Sequence, residues 1–81
     1  MNVTLQLFAV AKQLAGWPTL VIQLPAGATI ADLRKEIPRQ SPALAGIVGQ
    51  LKFAVDEEYA GDDAPLTENS RVACIPPVSG G

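Results

Sequence analysis

Thr29-Ile30-Ala31-Asp32-Leu33-Arg34-Lys35-Glu36-Ile37 is the stretch that dictates how the rest of the chain is arranged. Ile30, Leu33 and Ile37 recur at spacings of three and four, so on a helix they form one apolar stripe. Thr29 can cap a free backbone N–H at the start of that helix. Asp32, three residues on, completes a capping-box pattern with aspartate where glutamate is usual. Pro38 marks the last turn, because the residue before a proline is biased out of helical conformation. A helix with a single apolar stripe must bury it against a sheet, and the segments on both sides read as strands.

On the N-terminal side, residues 2–8 alternate, with Val3, Leu5 and Leu7 on one face and Asn2, Thr4 and Gln6 on the other. That is the period of a half-buried strand. Phe8 breaks the alternation and puts a large ring on the nominally polar side, either covered by the next helix or presented as an aromatic anchor. Ala9 to Ala15 is a short helix-forming run stopped by Gly16. Thr19 to Leu24 is rich in β-branched residues and predicts a second strand, closed by a turn at Pro25-Ala26-Gly27.

On the C-terminal side, Ser41-Pro42 predicts a brief helical turn, Ser41 as cap and Pro42 at the first position, limited by Gly46 and Gly49. Leu51 to Val55 alternates as a third strand, and Asp56-Glu57 suits a tight turn into a short strand near Glu58 to Ala60. A polar connection containing Pro65 and Leu66 leads to the last strand, Arg71 to Ile75. Val72 and Cys74 share one of its faces, Ala73 and Ile75 the other. Pro76-Pro77 cannot donate hydrogen bonds and ends the pairing. Strand, strand, helix, strands predicts a two-layer α+β domain, with the first and last strands as central neighbours.

The 81 residues leave room for one domain, residues 1–81, with 76–81 as an extended tail. With 48 % hydrophobic residues the chain can fill a core. Net charge is −2, and the six basic residues are scattered, so neither nucleic acid nor an anionic membrane is an expected partner. Asp56, Glu57, Glu58, Asp62 and Asp63 are concentrated, either as a solvated hairpin or as a docking surface for a basic partner. There is no histidine and a single cysteine, Cys74. A catalytic triad, a zinc site and an iron–sulfur cluster therefore lack their residues, and no bound metal or cofactor is expected. Cys74, on the core face of a strand, reads as a small hydrophobe. Trp17, beside Pro18, reads as a cover over the core edge. With no secretory leader and no long apolar stretch, a cytoplasmic location is the expectation.

The tail Pro76-Pro77-Val78-Ser79-Gly80-Gly81 carries the chemistry. Two prolines favour an extended exit from the sheet, and two glycines strip side-chain bulk from beside a carboxylate. Four extended residues beyond Pro77 reach at most about 13 Å, enough to deliver a carboxyl group into a narrow channel of another protein. A Gly-Gly end alone is a weak signal; one tied by Pro-Pro to a strand is much stronger.

Phe8-Ala9, the run from Phe53 to Tyr59, Pro65-Leu66 and the run from Arg71 to Gly81 together resemble the small subunits of molybdopterin synthase, over the whole chain. Asp56 departs from the asparagine common in that family, and both suit the turn. The resemblance implies a ubiquitin-like β-grasp fold and a sulfur carrier, itself non-catalytic. It implies that an ATP-dependent activating enzyme adenylates Gly81, beside Gly80, and that sulfur converts it to a thiocarboxylate. The thiocarboxylate then donates to cyclic pyranopterin monophosphate inside a large subunit, in an assembly of two small and two large subunits. Phe8, Tyr59, Ile75, Pro76, Pro77 and Val78 match the positions that meet partners. Carriers of the thiamine, tRNA-thiolation and cysteine-synthesis pathways, and ubiquitin-like modifiers, share the fold and the Gly-Gly end and are the alternative readings.

Overall fold

The start of the main helix is set by its cap. In a computed structural model that describes residues 1–76, Thr29 is extended (φ −109°, ψ 177°) and its Oγ1 accepts the backbone N–H of Asp32 at 3.4 Å. Asp32 Oδ2 in turn accepts the backbone N–H of Thr29 at 2.9 Å, and these bonds hold the Asp32 carboxyl below its usual range. Two orphan donors are satisfied reciprocally, a device worth about 1 kcal/mol to a helix. The helix, α2, runs Ile30–Gln40 and so continues past Ile37. Pro38 lies inside its final turn, where it forfeits only the bond its missing N–H would have made to Arg34. The helix still closes at its C-cap, where the Ser41 N–H reaches the Ile37 carbonyl at 2.7 Å.

Five strands, β1 (Asn2–Leu7), β2 (Thr19–Gln23), β3 (Lys52–Val55), β4 (Glu58–Ala60) and β5 (Arg71–Ile75), form one sheet in the order β2-β1-β5-β3-β4. The central pair β1 and β5 is parallel; the other neighbours are antiparallel. A short helix α1 (Ala9–Ala15) interrupts the connection from β1 to β2, and Gly16 ends it in the left-handed region (φ 81°) that glycine adopts freely. Pro42–Leu44 is the expected helical turn, of 3₁₀ type, but Ser41 makes no side-chain cap bond to it. A second 3₁₀ turn, at Val48–Gln50, adds to the expected elements.

Alternation along the strands decides the core. Val3, Leu5, Leu7, Ile22, Phe53, Val72 and Cys74 are buried on the face covered by α2, together with Ile30, Leu33, Ile37, Leu44, Leu51 and Leu66. Burying one such side chain fully is worth about 1.5–3 kcal/mol, so this face carries most of the stability. Trp17 is not the core cover expected of it: 63 % of it is exposed. At the β2 edge the Gln40 side chain takes the place of a further strand. It accepts the Gln23 N–H at 3.3 Å and donates to the Gln23 carbonyl at 3.1 Å, which blunts the edge.

Arg34, on α2, ties the irregular segment to the helix. Its Nη1 donates to the carbonyls of Val48 and Leu51, both at 2.8 Å, and its Nη2 to Asp62 Oδ1 at 3.0 Å. The guanidinium carbon lies 5.0 Å from the Phe53 ring centroid, within cation–π range. Both carbonyls belong to a 3₁₀ turn and its exit, where no ladder partner is at hand. Arg34→Ala is expected to lower unfolding free energy by about 2–3 kcal/mol, since hydrogen bonds to a charged group contribute about 1.5–3 kcal/mol. Asp62→Asn should cost less than about 1 kcal/mol, because that pair is largely exposed. Urea denaturation of both variants checks the ordering; equal losses would mean that the ion pair and not the carbonyl pinning dominates.

Candidate partner-binding site

Since α2 covers one face of the sheet, the residues alternating with the core positions lie on the other. Thr4 and Gln6 of β1, Ala73 and Ile75 of β5, Lys52 and Ala54 of β3 and Tyr59 of β4 share this open face. Phe8 joins them. It follows Leu7, which pairs with Cys74, so continuing the parallel register by one residue sets Phe8 beside Ile75. It caps α1 in an extended conformation (φ −125°, ψ 154°), so the strand alternation persists through it and the ring falls on the open side. Phe8 is 49 % exposed, Tyr59 is 72 % exposed and Ile75 is half-buried. Three of the residues singled out from sequence therefore share one open face, Phe8 and Ile75 at the end where β5 leaves the sheet and Tyr59 one row back on the β4 edge.

Pro76, which the resemblance also sets among the residues that meet partners, is buried where it continues directly from the central strand β5. Pro77, Val78, Gly80 and Gly81 lie outside the described residues. Val21, 58 % exposed, stands on the open face beside Thr4 and was missed; its alternation with Leu20 and Ile22 was the available signal.

Charge on the open face comes from Lys52, Arg71 and the Asp56-Glu57 turn. That turn has both central residues at positive φ (51° and 69°), the geometry that lets two residues join twisted antiparallel strands. Among the described residues no group of three or more His, Cys, Asp or Glu is placed to hold a metal. No helix there is long and apolar enough to cross a membrane. Cys74 is wholly buried on the opposite face, and burial pushes its thiol up to about 11 against the opposing influence of Arg34. A neutral, enclosed thiol is a packing group rather than a nucleophile.

The sheet order, the single crossing helix and the central parallel pair define a ubiquitin-like β-grasp protein. Within that class the chain belongs to the ThiS family, whose pattern it matches over residues 5–81. It is 33 % identical over 81 residues to the molybdopterin synthase sulfur carrier subunit of Arabidopsis thaliana, covering 100 % of this chain and 84 % of that protein. To the protein of the same description from Caenorhabditis briggsae it is 37 % identical over 83 residues, covering 100 % and 99 %. Among solved structures, a putative molybdopterin converting factor subunit 1 from Pyrococcus furiosus superposes with a TM-score of 0.84 at 29 % identity, over 96 % of this chain and 99 % of that one. A chain from the complex of subunits 1 and 2 of the molybdopterin-converting factor of Helicobacter pylori superposes at 0.68, over 100 % of both chains. At 21 % identity it supports the fold alone.

The buried thiol sets a pH dependence. Cys74 keeps its proton in the folded state up to about pH 11, whereas its ordinary value is 9.0, so between these the folded state binds more protons than the unfolded one. Stability from this group is thus complete below pH 9 and is lost as pH rises through about 11. Cys74→Val is expected to flatten that alkaline decline relative to wild type in denaturant titrations at several pH values. An unchanged decline would assign it to other groups.

Proposed function

We propose that this chain is the sulfur-carrying subunit of a molybdopterin synthase. The observation that carries the reading is full-length similarity to sulfur carrier subunits, joined to an open sheet face beside the strand that leads into Gly80-Gly81. A free α-carboxyl ionises near about 3.3–3.7 and is an unreactive anion at neutral pH, so it must be activated before it can carry sulfur. An ATP-dependent enzyme supplies that step: the Gly81 carboxylate attacks the α-phosphate of ATP, and pyrophosphate leaves. Sulfur at the sulfide level then attacks the acyl carbon and displaces AMP, and loss of the thioacid proton leaves a thiocarboxylate. Docked in the large subunit, the thiocarboxylate donates its sulfur to cyclic pyranopterin monophosphate, and two such transfers complete the dithiolene.

In this reading the chain supplies the reacting atom and a contact surface, and the large subunit supplies the catalytic side chains, two copies of each forming the assembly. The chain binds no cofactor of its own, and its work is done in the cytoplasm. Phe8, Tyr59 and Ile75 anchor the large subunit, their exposure on one face being what supports this role. Pro77 and Val78 lead the terminal glycines into the large subunit's active site.

Deleting Gly81 is expected to abolish product formation in a reconstitution with activating enzyme, sulfur source and large subunit, while the melting temperature stays put. Product formed by the truncated chain would end the proposal. Intact mass of the chain from its native host should show the gain of one sulfur for one oxygen; a ladder of lysine conjugates would point to a modifier. Phe8→Ala is expected to weaken large-subunit binding by about three- to tenfold, since burying the exposed half of that ring is worth about 0.7–1.5 kcal/mol. Calorimetric titration beside a thermal melt checks it: a collapsed melting temperature would make Phe8 a core residue.

A further inference from the structure

The open face of the sheet is not flat. Strand register places Thr19, Gln6, Ala73, Ala54 and Tyr59 in one row across all five strands, and two neighbouring positions in its middle are alanines. On one side of the alanines stand Ile75 and Lys52, themselves paired in register. On the other stand Arg71 and the Asp56-Glu57 turn; continuing the pairing of β3 with β5 sets Asp56 across from Arg71. Ala54 is buried and Ala73 half-buried although α2 lies on the far side of the sheet, so the longer side chains around them act as walls. The hollow, lined by Gln6, Ala54, Asp56, Glu57, Arg71 and Ala73, measures ≈ 290 Å³.

Its size and charge say what it takes. Small-molecule sites run to about 300–1,000 Å³ and enclose their ligands, whereas this is a shallow dip at the lower limit of that range, suited to one inserted side chain. On the side lined by Asp56, Glu57 and Arg71, two carboxylates and one guanidinium leave one net negative charge, while Lys52 stands beyond the alanines on the opposite side. Among the described residues none of the three takes part in an ion pair. Arg71 offsets part of the acidic charge, which leaves the rim complementary to one cation and not to two. An alanine floor accepts the apolar stem that lysine and arginine lay along a surface while the charged head turns to polar groups.

We propose that this hollow is a socket for one basic side chain, lysine or arginine, projecting from the large subunit, its stem over Ala54 and Ala73 and its head toward Asp56 and Glu57. The socket rests on the carrier reading above and adds to the apolar anchors a polar contact that sets register. A long side chain seated on the alanines fixes how far the partner slides along the sheet, and thus where the tail enters it.

Calorimetric titration against the large subunit of the same organism, at low and high salt, tests this with two variants of the hollow. Ala54→Leu fills the floor, and the double variant Asp56→Asn/Glu57→Gln keeps its shape but removes its charge. Asp63→Asn, which removes a charge outside the hollow, is the control. Filling the floor is expected to weaken binding about tenfold or more. Removing the charge is expected to weaken it several-fold and flatten its salt dependence, and the control to bind as wild type. Thermal melts establish that each variant is folded; should Ala54→Leu fail to fold, Ala73→Val fills the same floor from the neighbouring strand. Wild-type affinity in either arm overturns the socket: a harmless charge variant means the occupant is not basic, and a harmless filled floor means the acids act outside the hollow. Loss of affinity in the control equal to that in the charge variant overturns it too, as a general charge effect. A wild-type chain that binds no large subunit defeats the carrier reading itself, an outcome distinct from any difference between variants.

Discussion

The apolar stripe of α2 is buried without remainder, together with Val3, Leu5, Val72 and Cys74 of the two central strands. This helix-to-sheet contact is the constraint on which the rest depends, because one helix can cover one face and no more. Period-two alternation then assigns every strand residue to the covered or the open side, and a slip of one residue would exchange the two sets. The capping box of Thr29 and Asp32 fixes where the stripe begins, and Arg34 anchors the irregular segment that returns the chain to β3. The open face is therefore the complement of the core, specified by the same alternation.

Much of this could be read from particular residues. Leu5 and Leu7 against Thr4 and Gln6, and Val72 and Cys74 against Ala73 and Ile75, are local patterns with a fixed period, and both strands appear where the patterns place them. The box at Thr29 and the glycine stop at Gly16 depend on two or three neighbouring residues and are likewise present. What escaped depends on positions distant in sequence. Arg34 reads as an ordinary helix-surface cation until the carbonyls of Val48 and Leu51 come within its reach. Nothing local distinguishes Ala54 from Ala73, and they form a floor only because β3 and β5 pair in one register. Trp17 went astray for the same reason, since burial depends on which distant segment passes nearby.

Function divided along the same line. The terminal Gly-Gly behind Pro-Pro lies outside the described residues, and its reading as the sulfur-carrying end rests on the sequence and on similarity to sulfur carrier subunits. The contact surface needed the sheet to be assembled before Phe8, Ile75 and Tyr59 could be seen to lie on one side.

The central parallel pair also governs when the molecule comes into being. β5 sits between β1 and β3, yet it is the last of the five strands to leave the ribosome. Until residue 75 emerges, β1 has a partner only in β2, its other edge is unpaired, and α2 has only part of a sheet to cover. Closing the sheet joins segments far apart in the chain, Thr4 with Arg71 and Leu7 with Cys74, a non-local pairing of the kind that folds late and slowly. At about 5–20 residues per second the ribosome holds the nascent chain in that incomplete state for several seconds. The open face and the strand that leads toward the C-terminal glycines are thus completed in one event. A chain interrupted before β5 would display neither.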